Sequence, residues 1–293
     1  MTPIELGRMR VRKVFEMESS PPFAFIIDGI TPADLAHLAT WYADNTLGST
    51  ADTSLFTMSM HSYVVELDGL TVLVDACNGN HKPRSIPDAN MADTAYLANL
   101  AALGLTPDDI DLVLCTHLHF DHVGWNTRLE NGRWVPTFAN ARYLFGRRDF
   151  EHFAAHEPNE DHVRAYQDSV LPVYQAGKAE LVEADHLVHR AIGDGIWLEP
   201  AFGHSPGNVS VLAEAGGERA LFWGDVVHHP VQMVRPDLAM SFDGDPAMAQ
   251  ATRLRTLARA VDEQCVCFPA HFRAPSAGRV ERDGEAFRYR FLA

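Results

Sequence analysis

Apolar and polar residues alternate, or apolar residues cluster in short runs, at 9–17, 59–67, 70–75, 110–115, 196–202, 208–214 and 219–223. Such runs predict strands. Asp68-Gly69 joins the second and third of them, and Asp283-Gly284 divides a similar pair within 279–292. Both dipeptides tolerate positive φ and predict tight hairpins. Glu130-Asn131-Gly132 and Gly216-Gly217 mark further turns, and residues 78–91 read as a loop. Helical spacing lies between the strand runs. It predicts a helix from about Pro32 to Ala43 carrying Leu35, Leu38 and Trp41, and another capped by Asp93 with Ala95, Leu97, Leu100 and Leu103 on its face. Helices are also expected near 147–156 and 160–176, and from Pro246 to Gln264 with Met248, Ala251, Leu254, Leu257 and Val261 along one face. Residues 23–28 read as strand or extended chain, and no repeat or linker appears.

One stretch carries more chemistry than the rest. Residues 115–126 read Cys-Thr-His-Leu-His-Phe-Asp-His-Val-Gly-Trp-Asn, so that His117, His119, Asp121 and His122 follow directly on the apolar run 110–115. A buried strand ending there would release the histidines into a loop at its C-terminal edge. Imidazole nitrogen suits zinc and its first-row neighbours, and a carboxylate adds charge and an oxygen ligand. Alternation sends His117 and His119 to one side, while Asp121 and His122 lie beyond the turn, a spacing that suggests two metals. His152, His156, His162, His186 and His189 share no such spacing and read as surface residues.

Composition narrows the class. The chain has 293 residues, 46% hydrophobic and 22% charged, ample for a large core, and a formal net charge of −15 without a Lys/Arg-rich run. That balance argues against nucleic acid and anionic membranes as partners, since both are held by basic side chains. The N-terminus lacks a basic segment followed by an apolar core, and no stretch of eighteen apolar residues occurs, so a cytoplasmic location is expected. Cys77, Cys115, Cys265 and Cys267 are too few and scattered for a disulfide framework. Cys115, beside the motif, reads as core filler.

His-x-His-x-Asp-His after an apolar strand resembles the signature of the metallo-β-lactamase-fold hydrolases. The rest of that signature follows in order: Gly203-His204-Ser205-Pro206-Gly207, Phe222-Trp223-Gly224-Asp225 and Pro269-Ala270-His271-Phe272, each closing an apolar run. The resemblance runs from about Ser59 to the C-terminus. It implies an α/β (α+β) fold, a four-layer αββα sandwich of two mixed β-sheets flanked by helices. It also implies that His117, His119 and His204 hold a first metal, Asp121, His122 and His271 a second, and that Asp225 bridges them. Because ligands from both halves must converge, one domain is expected over 1–293, with 1–50 an N-terminal extension packing on the core.

The motif is most similar to that of N-acyl-homoserine lactonases and their organophosphate-hydrolysing relatives. The expected function is therefore a dinuclear metal-dependent hydrolase. Two divalent ions, zinc by default with manganese, iron or cobalt as alternatives, would share a water that ionises near neutral pH and opens a lactone or cleaves a small carboxylic ester. Asp121 would orient that nucleophile or move a proton. One departure matters. Those lactonases carry a tyrosine three residues after the bridging aspartate, where this chain has His228, followed by His229. His228 becomes a candidate catalytic donor, and an acyl-homoserine substrate is less strongly implied. Phe56, Met58, Met60, Trp125, Met233 and Phe272 are candidates for an apolar wall, and Arg273 for carboxylate or phosphoryl recognition. Phosphotriester or aryl ester cleavage is the alternative within this chemistry; a mononuclear iron oxidoreductase resembling the sulfur dioxygenases is the alternative from another class. The resemblance also makes a homodimer the expected assembly, with a small molecule as the substrate.

Overall fold

The computed structural model describes residues 2–27, 29–36, 55–155, 158–191 and 193–292. Two compact units emerge, one built from Thr2–Met17 and Met60–Leu187, the other from Glu18–Ser59 and Val188–Ala293.

The first unit holds a seven-stranded mixed sheet. Its order is Ile4–Leu6, Met9–Ser19, Met58–Leu67, Leu70–Val74, Leu112–Leu114, Arg142–Gly146 and Ala179–Val182. Asp68 and Gly69 turn the central hairpin with φ of 54° and 82°, the left-handed geometry that their dipeptide anticipated. From Leu70–Val74 onward the strands pair in parallel. Parallel pairing requires crossovers, and helix Tyr96–Ala102 supplies the first of them. Leu112–Leu114 is buried throughout, which explains why its sequence is continuously apolar rather than alternating. Val64, Leu73, Val113, Tyr143 and Phe145 share one core with Tyr96, Leu100, Val170 and Val173. Asp93 does not cap Tyr96–Ala102; Ala95 occupies the cap position, and the Asp93 carboxylate accepts from Asn80 Nδ2 at 3.3 Å. The helical stretch expected at 160–176 is three segments, with a π-helical turn over Tyr166–Val170.

The second unit holds the other seven-stranded mixed sheet, ordered Leu187–Ala191, Asp194–Pro200, Val209–Ala215, Glu218–Phe222, Val266–Cys267, Gly278–Asp283 and Ala286–Phe291. Helix Pro246–Asp262 links its parallel pair, with Pro246 in the first turn and the Asp245 side chain accepting from the Met248 amide at 3.0 Å. Its buried face differs from the apolar stripe predicted. Met248 and Leu254 are 42% and 39% exposed, whereas Ala249, Thr252, Arg253, Thr256, Leu257 and Ala260 are buried. The reason is hydrogen bonding: Thr252 donates to the Phe202 carbonyl, and Arg253 to those of Val226, Pro236 and Leu238. A buried guanidinium that spans loop carbonyls outweighs the hydrophobic pattern.

Residues 23–28 also depart from expectation, because Phe23–Ile26 forms a helical turn. Two prolines precede it, and one turn sets Phe23 and Ile27 together, buried with Phe56, Val231, Leu238 and Met240. Residues 32–36 are helical, and the remainder of the helix expected to Ala43 lies outside the described residues. Two large mixed sheets with flanking helices are the expected fold class. Among the described residues, no helix is long and apolar enough to cross a membrane.

Candidate metal centre

In the first unit the candidate ligands follow the end of Leu112–Leu114. His117 and His119 lie in the loop, and Asp121 and His122 on the short helix Phe120–Val123. A second loop, after Leu70–Val74, clamps this one. Ala76 and Trp125 amides bond to the His122 and Ala76 carbonyls at 2.7 and 2.6 Å. A Cβ on Gly124 would lie 1.8 Å from the Asn78 carbonyl oxygen, so the loops can meet only with glycine there. Glu16 locks the junction by accepting from the amides of Asn78 and Gly79 and from Trp125 Nε1. Burial pushes the Glu16 carboxyl pKa up, against these donors.

Asp75 orients two of the imidazoles. Its carboxylate accepts from the Thr116 amide and hydroxyl and lies 3.0 Å from His122 Nδ1. The Thr116 hydroxyl gives its one hydrogen to Asp75, so its oxygen accepts from His117 Nδ1, 3.2 Å away. Both rings are thereby held by Nδ1, and each presents Nε2 as a lone-pair donor. The His117 ring centroid is 4.5 Å from that of His119 and 4.0 Å from that of His122. His119 is stacked on His162 at 4.0 Å with 8° between planes, and meets Phe153 edge-on.

His162 is buried, contrary to the surface position expected, because its helix sets it between His119 and Phe153. Asp75 and His162 carried no signal: one is an acid closing a strand, the other an isolated histidine. His152, His186 and His189 are partly exposed, and His156 lies outside the described residues.

The second unit centres on Asp225, in the turn after Glu218–Phe222. His204 Nε2 lies 3.2 Å and His228 Nε2 3.0 Å from Asp225 Oδ2, and His271 Nε2 lies 3.1 Å from Oδ1. All four side chains are buried. Asp243, which carried no sequence signal, sits 2.9 Å from His204 Nδ1. Burial opposes a charged His204, but Asp225 and Asp243 outweigh it and raise its pKa to about 9. Burial also lowers the His228 pKa to about 4, despite Asp225, and the His229 pKa to about 3. The site thus favours positive charge between His204 and Asp225, which a proton or a metal ion can supply. Oriented imidazoles and carboxylates with little competing charge are a donor set that fits divalent first-row metals.

The other candidates fall elsewhere. His229 packs against Phe23 and Phe56. Phe56, Met60, Trp125, Met233 and Phe272 are buried; Trp125 stacks on Tyr96, and Met233 and Phe272 belong to the core of the second sheet. Met58 is partly buried. Arg273 pairs with Glu18 at 3.2 Å. Cys115 is buried, and burial pushes its thiol pKa up, consistent with core filler.

The fold and the two loop sets that carry candidate ligands fit a metallohydrolase-type architecture. Residues 59–271 match the model of the metallo-beta-lactamase superfamily, and the chain belongs to that family. Among solved structures it is similar to AidC, a dizinc quorum-quenching lactonase in complex with a product. Identity is 19%, with 100% of this chain and 97% of that one covered and a TM-score of 0.80. It is also similar to the hydrolase AbOPH of the beta lactamase superfamily, at 22% identity over 99% and 97% of the two chains, with a TM-score of 0.78. These likenesses establish the fold. An N-acyl homoserine lactonase from Bacillus cereus is 29% identical over 115 residues, which span 39% of this chain and 37% of the relative. A protein of Methanocaldococcus jannaschii described as a probable metallo-hydrolase is 26% identical over 107 residues, 35% and 45% of the two chains. The alignments thus span less than half of each curated relative.

Proposed function

We propose that the chain is a dinuclear metal-dependent hydrolase acting on a lactone or a small carboxylic ester. His117, His119 and His204 hold one divalent ion, Asp121, His122 and His271 hold the other, and Asp225 bridges the two. Zinc is the expected metal. The observation that carries this reading is the orientation of imidazoles by buried partners: Asp75 and Thr116 fix His122 and His117, and Asp243 fixes His204. Outer partners of this kind set the tautomer that a metal ligand needs. The matched family segment includes every proposed ligand.

When bound, such ions supply Lewis acidity and an ionised water near neutral pH. The chain's residues do the rest. Buried imidazoles exclude bulk water from the reacting atoms, which strengthens electrostatic stabilisation of a developing oxyanion. Asp121, at the start of its helix, accepts a proton from the nucleophile and returns it to the leaving oxygen. Lactone and ester are favoured over phosphotriester by the curated relative named as a lactonase and by the lactonase among the solved structures.

The test is a pH-indicator screen of lactones, aryl esters and phosphotriesters, run before and after chelation. Lactone or ester hydrolysis that disappears with EDTA and returns with added zinc supports the reading. Turnover that survives complete metal removal overturns it, and bound iron without hydrolysis favours the oxygen-using branch of the fold.

A further inference from the structure

His228 stands apart from the proposed ligands, yet its surroundings are those of a ligand. Its side chain is 1% exposed, and neither ring nitrogen completes a hydrogen bond among the described residues. A buried ring nitrogen that faces a carboxylate oxygen at 3.0 Å without completing a hydrogen bond calls for an explanation, such as an ion between the two.

The distances supply one. Two ligand atoms that share a zinc ion at about 2.0–2.1 Å stand roughly 2.9 Å apart at a right angle and roughly 3.3 Å apart at the tetrahedral angle. The separations of 3.0 Å between His228 Nε2 and Asp225 Oδ2 and of 3.2 Å from His204 Nε2 to the same oxygen fall within that range. The rings of His204 and His228 are 4.7 Å apart, so two imidazoles converge on one carboxylate oxygen.

The loop that carries His228 is also fixed. Its backbone amide donates to Gln232 Oε1 at 2.9 Å, Trp223 Nε1 donates to the Val227 carbonyl at 3.2 Å, and Arg253 Nε to that of Val226 at 2.9 Å. Phe242 packs edge-on against the ring, and His271 lies parallel to it at 5.7 Å. These contacts fix the position of the ring, which a ligand needs.

We infer that His228 is itself a metal ligand, sharing with His204 the ion bound at Asp225 Oδ2. The inference rests on the dinuclear reading above and extends it: the ion on this side gains an imidazole.

Nuclear magnetic resonance on the cadmium-113-loaded, nitrogen-15-histidine-labelled protein tests this, because only a coordinated imidazole nitrogen shows scalar coupling to the metal. The inference expects coupling to His228 in addition to His117, His119, His122, His204 and His271, and its selective loss in His228→Gln. Chelator competition should show one ion bound roughly tenfold or more weakly in that variant. Coupling to the other five imidazoles but not to His228 in the wild-type protein overturns the inference and leaves the dinuclear reading standing. Absence of coupling to any imidazole overturns both. The wild-type spectrum alone separates these outcomes, should the variant fold poorly.

Discussion

The two sets of proposed ligands are built on opposite plans. The first is contiguous in sequence, within residues 117–122, and is held from outside by Asp75, Thr116 and the loop that Glu16 locks. The second draws on His204, Asp225, His228 and His271, far apart in sequence, and is organised from inside, with three imidazole nitrogens within 3.2 Å of one carboxylate. A local cluster supplies many ligands cheaply but cannot orient them, so the fold provides separate buried partners. A dispersed set is oriented by one central group, and the fold's work is to bring the loops to it.

The anchors beneath the sets differ in the same way. In the first unit, Asp168 pairs with Arg84 at 2.8 Å and lies 3.4 Å from Lys82, whose ammonium also sits 3.6 Å over the Trp134 ring. In the second, Arg253 bonds three carbonyls and lies 3.8 Å from the Asp243 carboxylate.

Removing the first anchor should give the largest effect. Asp168→Ala strands Arg84 as a buried unpaired charge and removes the acid that holds the Lys82 proton, and a loss of about 3–5 kcal/mol in denaturant unfolding is expected. Unchanged stability would show that the network is not what supports the first set. Asp75→Ala should act next, on metal affinity rather than fold. With His117 and His122 released at Nδ1, affinity measured by chelator competition should fall about 10–100-fold. The same affinity in the variant would break the contrast between outer and inner support.

The smallest effect concerns pH. Burial lowers the Lys82 pKa from 10.5 to about 7, only partly restored by Asp168. An unfolded lysine keeps its proton to about 10.5, so between pH 7 and 10.5 the unfolded chain binds more protons and stability rises with pH. Below pH 7 the cost of the buried charge is fully present. Unfolding of Lys82→Met at pH 7 and 9 should show a flatter dependence than the wild-type chain; an identical slope would exclude Lys82 as its source.

These contrasts also explain what the sequence made legible. Hairpins at Asp68-Gly69 and Asp283-Gly284 were readable because a two-residue turn is a local decision. The ligand types were readable because His and Asp stand at the ends of apolar runs, and the four-part pattern led to the family. Partners contributed by a distant loop were not. Asp75 and Asp243 lie 47 and 39 positions from the histidines they orient, and nothing in their neighbourhoods distinguishes them from surface acids. The buried face of Pro246–Asp262 was hidden for the same reason: Arg253 and Thr252 are polar in sequence and become interior only through the carbonyls they meet. His162 joins them, since stacking on His119 is a tertiary event.

The central claim is that both sets serve bound metal. Elemental analysis of the purified wild-type chain beside His119→Ala and Asp225→Ala tests it most directly. About two divalent ions per chain are predicted for the wild type, falling in both variants, with the greater loss in Asp225→Ala. Full metal content in either variant, or a wild-type chain that binds none after exposure to zinc, would contradict the account.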